Sequence, residues 1–370
     1  MRYFVISGEA SGDFLGGLLA KQLKTLDENA TIQAWGGQHL KRHGAQILLD
    51  ISTLSFMGFS ELIGNAIKIT GLLNTCKRQI SSFSPDVIIL IDFGGFNMRL
   101  AKWAHKKGYK IVYYVPPKIW ASRSWRVRAL RRYVDLLVVL FPFEYNYFRL
   151  KELPVSFFGN PYASFLQRVE TEDGFREKHN LDERPIASIL PGSRMQEIDK
   201  MLPIAIEAIQ SSDEFNWCVS CLGQFNKEYY ELHLSKSKSV NLNLIFDDHI
   251  QLLKNSHCAI VTSGTATLEA ALLNVPQLVG YKTSWLNYLI AKRLINVPFI
   301  SLPNLILEGE CVLELIQEDF NPKRIETELK KLLSPASITD LHDKYLKIQG
   351  LLHGDAPSKR TAEAIISLAE

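Results

Sequence analysis

The chain has 370 residues, of which 46% are hydrophobic and 22% charged, and its formal net charge is +3. A single core rarely grows past roughly 250–300 residues, so two domains are expected, large enough to need no metal or disulfide staple. The small net charge gives no argument for nucleic acid, and five scattered cysteines argue against a disulfide framework.

The N-terminus, Met1-Arg-Tyr-Phe-Val-Ile-Ser7, reads as a strand rather than a secretory leader. No apolar run reaches the ~20 residues of a bilayer span, and a cytoplasmic location is expected. Gly8-Glu-Ala-Ser-Gly-Asp13 then leads into a helix through Lys24, the strand–turn–helix opening of a doubly wound fold. The glycine spacing matches neither the dinucleotide fingerprint nor the P-loop, which removes the NAD-dependent oxidoreductase reading. Glu9, Ser11 and Asp13 either line a plain βα turn or face a polar ligand.

A second strand covers Ile32–Trp35. In the stretch Leu54–Ile69, Phe56, Met57 and Phe59 are core residues or a greasy patch for acyl chains or a membrane surface. Pro85–Asp92 is a continuous apolar run, the mark of a central parallel strand buried on both faces. It ends at Asp92. Ligands gather at the carboxyl ends of such strands, so Asp92 is a general-base candidate, or else it caps the next helix. The strand Lys110–Tyr114 runs into a basic stretch bearing Trp120 and Trp125. That stretch suits a solvated helix, an anionic lipid surface or nucleic acid. Asp135–Leu140 is a further strand, and Val155–Pro161 is read as the crossing into a second domain.

The pattern restarts with the strand Ile186–Leu190, the turn Pro191-Gly192-Ser193-Arg194 and a helix from about Gln196. The planar guanidinium of Arg194 suits phosphate. Strands follow at Asn216–Leu222 and Leu242–Phe246. Cys218 and Cys221 form a C-x-x-C, but on a strand residues three apart face opposite sides, and no second pair follows, so zinc is not expected. Asp247-Asp248-His249 is read as a loop rather than a metal site. The most telling stretch is Cys258–Leu273, a short strand, then Thr262-Ser263-Gly264-Thr265-Ala266, then an Ala/Leu-rich helix. A helix start made of small residues offers free N–H groups and the positive end of the dipole to a phosphate. Glu269 does not fit a capping box with Ser263 or Thr265 but can reach ribose from one turn inside the helix. A nucleoside diphosphate is the expected ligand, unless the turn is an ordinary cap. Asn304, expected in a loop, is a substrate-contact candidate, and helices at 322–333, 338–352 and 357–369 close the chain.

The motifs Gly8–Asp13, Ile91-Asp92 with Phe96-Asn97, Tyr114-Val-Pro-Pro with Trp120-Ala121, Leu190–Arg194, Thr262–Ala266 with Leu268-Glu269, and Ser301–Asn304 together resemble the lipid-A-disaccharide synthase family. The resemblance implies an α/β fold of two Rossmann-like doubly wound domains facing a cleft, the GT-B architecture. The expected domains are 1–162, 163–340, and C-terminal helices 341–370 returning to the N-terminal domain, its own or a partner's. It implies an inverting transfer of 2,3-diacylglucosamine from UDP-2,3-diacylglucosamine to lipid X, with no cofactor, no metal and no nucleic acid. Asp92 would be catalytic. Glu9, Ser11, Gly192, Ser193, Arg194, Ser263, Gly264, Thr265, Ala266, Glu269 and Asn304 would bind substrate. The enzyme would be a homodimer, with exchanged C-terminal helices, on the inner face of the cytoplasmic membrane. A sugar-nucleotide epimerase of the same plan is the alternative, separable by product analysis. The chain departs from the pattern at Gly94-Gly95, where relatives often have Pro-Asp or Pro-Gly, and near Gly309, where they tend to carry a basic residue.

Overall fold

In the computed structural model, the described residues are 1–56, 66–121, 126–210, 212–234, 242–294 and 297–370. The chain forms two units, Met1–Tyr162 with Leu352–Glu370, and Ala163–Leu351.

The first unit is built on seven strands: β1 (Arg2–Ser7), β2 (Thr31–Gly36), β3 (Gln46–Asp50), β4 (Val87–Ile91), β5 (Lys110–Tyr114), β6 (Leu136–Val139) and β7 (Val155–Phe157). They pair in the order β3-β2-β1-β4-β5-β6-β7, and every pairing is parallel. All of β4 is buried, as its unbroken apolar run requires, with helices such as Ala10–Leu26 and Gly94–Lys106 supplying the cover. The strand β3 was not anticipated, and the segment expected to cross between domains is the edge strand β7. The readings at Met57, Phe59 and Trp125 lie outside the described residues, as does the side chain of Phe56.

The last helix, Pro357–Ala369, packs on the helix Ala10–Leu26. Its approach is tight: a Cβ on Gly354 would lie 1.9 Å from the Phe158 carbonyl oxygen. The Asn160 amide donates to Leu352 O at 2.9 Å, and the Arg360 guanidinium lies 5.0 Å from the centre of the Phe158 ring.

The second unit carries β8 (Ile186–Leu190), β9 (Asn216–Cys221), β10 (Leu242–Phe246), β11 (Ser256–Thr262), β12 (Gln277–Tyr281) and β13 (Glu314–Ile316). Their order is β10-β9-β8-β11-β12-β13, again with parallel pairings. The helix Pro335–Leu352 belongs almost wholly to this unit, where the Tyr345 hydroxyl donates to Val275 O at 3.2 Å. The return to the first unit therefore begins at residue 352, not at 341. All five cysteines are free and buried. Among the described residues no helix is long and apolar enough to cross a membrane.

Candidate active site

In a doubly wound sheet, ligands bind beyond the carboxyl ends of strands where the strand order reverses. In the first unit that point lies between β1 and β4, which lead into Gly8-Glu9 and Asp92-Phe93. In the second it lies between β8 and β11, which lead into Pro191–Arg194 and Ser263–Thr265. The two turns singled out in the rear half thus sit on neighbouring strands, with Val261 paired to Leu190.

Asp92 stands at φ +47, followed by Phe93 at +51, and Val115 at the end of β5 has φ +60. These three positions, two after β4 and one after β5, lie in the left-handed region, which is costly for non-glycine residues, and must be held by their surroundings. The Asp92 carbonyl accepts from the Tyr113 hydroxyl at 2.8 Å and from Asn97 Nδ2 at 3.0 Å. Asp92 does not cap the helix Gly94–Lys106, whose N-cap is Phe93. Burial raises the Asp92 carboxyl to about 6, the Glu9 charge adds to the rise, and Lys118 and the Phe93 amide partly oppose it. A carboxylate in that range is suited to accept a proton near neutral pH.

Glu9 and Ser11 are exposed at the start of the helix Ala10–Leu26. Asp13 is not a ligand candidate: its carboxylate is buried and accepts from the amides of Gly37, His39 and Leu40, tying β2 to the next helix. Glu144 carried no signal for a site in the sequence, and Lys118 stood out there only as the start of the basic stretch. Glu144 is buried under Trp120, whose Nε1 donates to it at 3.0 Å, and burial lifts its carboxyl to about 7 against the opposing pull of Trp120 and Lys118. This contact anchors the segment after β5 that carries Lys118.

In the second unit, the helix Thr265–Leu272 starts with an extended N-cap at Gly264. The Ser263 amide donates to Gly280 O and its hydroxyl to Ile300 O, whereas the amides of Gly264, Thr265 and Ala266 have no partner among the described residues. Three open N–H groups at a helix start can receive an anion. Glu269 is buried one turn inside, 3.4 Å from His249 Nε2.

The other turn differs from expectation. Gly192 bends the chain at φ +111, and the Glu197 carboxylate accepts from the amides of Ser193 at 3.0 Å and Arg194 at 3.3 Å. Those amides are satisfied within the protein. The Arg194 guanidinium, paired with Glu197 at 2.8 Å, is 77% exposed and reaches into solvent. Asn304 lies in the helix Leu302–Leu307, not in a loop, and its side chain is buried. Its Nδ2 donates to Val312 O and Glu314 Oε1, and its Oδ1 accepts from the amides of Cys311 and Val312, which uses both donors and both lone pairs. Glu314 also accepts from the amides of Ile300 and Ser301, so Asn304 helps fix the carbonyl that holds Ser263.

Residues 3–365 match the family described as Lipid-A-disaccharide synthetase. The chain belongs to that family. Lipid-A-disaccharide synthase of Coxiella burnetii (strain Dugway 5J108-111) is 35% identical over 337 residues, 89% of this chain and 88% of the relative. That of Francisella tularensis subsp. novicida is 32% identical and covers 97% of each chain. Among solved structures, S. aureus MnaA with UDP aligns at a TM-score of 0.67 with 14% identity, over 99% of this chain and 94% of the other. MurG of Acinetobacter baumannii aligns at 0.59 with 12% identity, over 99% of each. These structural likenesses establish the two-unit GT-B fold. As a member of the lipid-A-disaccharide synthetase family the chain is a disaccharide-forming glycosyltransferase of lipid A synthesis, which disfavours the epimerase alternative.

Proposed function

We propose that the enzyme transfers 2,3-diacylglucosamine from UDP-2,3-diacylglucosamine to the 6-hydroxyl of lipid X, with Asp92 as base and the second unit holding UDP. The observation that carries the nucleotide assignment is the trio of unpartnered amides at Gly264, Thr265 and Ala266 with Glu269 one turn behind them. As the acceptor oxygen attacks the anomeric carbon, Asp92 takes its proton and the glycosidic bond to the diphosphate breaks. The growing negative charge on the leaving UDP is met by the helix amides and by the Arg194 guanidinium, groups already oriented before reaction. Ser263 orders the turn through its bond to Ile300, and Glu269 takes the ribose hydroxyls. Glu9 and Ser11 are substrate contacts of the first unit, and Glu9 also helps keep Asp92 basic.

Both substrates carry acyl chains, so the enzyme works as a peripheral protein at the inner face of the cytoplasmic membrane. By its family resemblance it does so as a homodimer. The deciding experiment follows UDP release from UDP-2,3-diacylglucosamine with and without lipid X, with product analysis. Release only with lipid X, matched by disaccharide, is the expected result. Turnover of the donor alone would overturn the reading.

A further inference from the structure

The turn from β10 into the helix His249–Lys254 carries Asp247, Asp248 and His249, and each has a different task. Asp247 accepts from the Gly223 amide at 2.8 Å, and Asp248 pairs with Lys178 at 3.0 Å. His249 instead faces the helix Thr265–Leu272, with Nε2 3.4 Å from Glu269 Oε2. The Glu269 side chain is only 8% exposed, and an ionised carboxylate buried to that degree needs a partner.

The charges that face His249 are Glu269 from that helix and Asp247 and Asp248 from its own turn, with Lys178 behind Asp248. The strands packed against its helix, β8, β9, β10 and β11, add no charged carboxylate or amine, and His257 on β11 stacks on Phe215. Burial works against a charged imidazole here, but the Glu269 carboxylate and the two aspartates outweigh it, and the ring holds its proton to higher pH than usual.

We propose that His249 is a positioning residue for Glu269: its charged ring fixes the buried carboxylate for the ribose hydroxyls and couples nucleotide binding to proton uptake. This rests on the placement of UDP at the helix Thr265–Leu272. A diphosphate at the start of that helix adds negative charge to a surrounding that is already acidic around His249. The complex therefore favours the imidazolium more than the free protein does, and binding strengthens as pH falls across the imidazole range. A ring that only filled space would show no such coupling. UDP itself titrates in this range through its terminal phosphate, so the signal is the difference between wild type and variant.

The test is calorimetric titration of the whole protein with UDP in two buffers of different ionisation heat. Wild type, His249→Gln, His249→Lys and Glu269→Gln are compared, each with its thermal melt. His249→Gln keeps a hydrogen-bond donor but cannot be charged. It should weaken UDP about tenfold near pH 6.5 and about twofold or less near pH 8.5, with fewer protons taken up at the lower pH. His249→Lys should regain affinity and lose the pH dependence. Equal affinity and proton uptake in wild type and His249→Gln, with Glu269→Gln still impaired, overturns the role of His249 and leaves the nucleotide assignment standing. Unchanged UDP binding in Glu269→Gln overturns the nucleotide assignment, and this inference with it.

Discussion

The hydroxyl of Tyr113 donates to the backbone carbonyl of Asp92 at 2.8 Å, from a side chain that is fully buried on the neighbouring strand. With Asn97 it secures Asp92 in a left-handed conformation that an aspartate does not hold without support. Tyr113→Phe should keep the fold, because Asn97 still bonds the same carbonyl. It should lower kcat about tenfold with little change in UDP affinity, the pattern of a base displaced by a fraction of an ångström. Steady-state kinetics beside a UDP titration checks this, and a KM effect without a kcat effect would count against it.

Asp92→Asn should cut kcat by about 10²–10⁴-fold while UDP still binds. In wild type, activity should climb as pH rises through about 6 and then level, since the base must lose its proton. Stability should move the other way. Asp92 keeps its proton to higher pH when folded than when unfolded, so the folded state loses that advantage as pH rises from about 4 to about 6. The variant, which has no charge to bury, should be about 1–2 kcal/mol more stable than wild type at neutral pH, discounted because the site is only partly buried. Paired melts at pH 4.5 and pH 7.5 read this directly: the gap between the proteins should open at the higher pH.

Gly264 has an extended backbone that any residue can adopt, and a Cβ there would meet nothing closer than the Thr262 carbonyl oxygen at 3.9 Å. Gly264→Ala should leave the melting temperature unchanged or slightly raised. The added methyl would stand beside three open amides, so UDP should bind at least about tenfold more weakly, the result of displacing charge-assisted bonds to phosphate. Wild-type affinity in this variant would move the diphosphate away from that helix.

Asn304→Ala should cost about 2–4 kcal/mol, because it strands the Cys311 and Val312 amides in a buried place and takes one donor from the Glu314 carboxylate. Denaturant unfolding measures that loss. UDP affinity of the folded fraction should drop only about threefold, since Asn304 acts through Ile300 and Ser263 rather than on the ligand. A large affinity loss with full stability would restore Asn304 as a direct contact.

The sheet-forming runs could be read in the sequence because buried parallel strands are nearly continuous apolar segments. Ile186–Leu190 and Leu242–Phe246 begin and end where the pattern does. The open amides of Gly264–Ala266 were legible too, since small residues between a strand and an Ala/Leu helix leave few other structures. The capture of the Ser193 and Arg194 amides by Glu197 was missed, although Arg194 and Glu197 stand three apart, the spacing at which an N3 carboxylate reaches back to a cap. The Asn304 network could not be read, for it depends on Glu314, ten residues on and on a different element. His249 was equally hidden: local spacing shows two aspartates beside it, and only the fold brings Glu269 to its ring.

The crowding of Gly354 against Phe158 has an outcome for biogenesis. Residues 352–370 complete a lobe whose other 162 residues leave the ribosome first, so that lobe cannot close until the intervening lobe has been made. Until then the flank of the helix Ala10–Leu26 waits uncovered, a sticky surface on a nascent chain. A single methyl at position 354 would hold the seam open in the finished protein as well, leaving newly made enzyme exposed to proteases and to its own siblings.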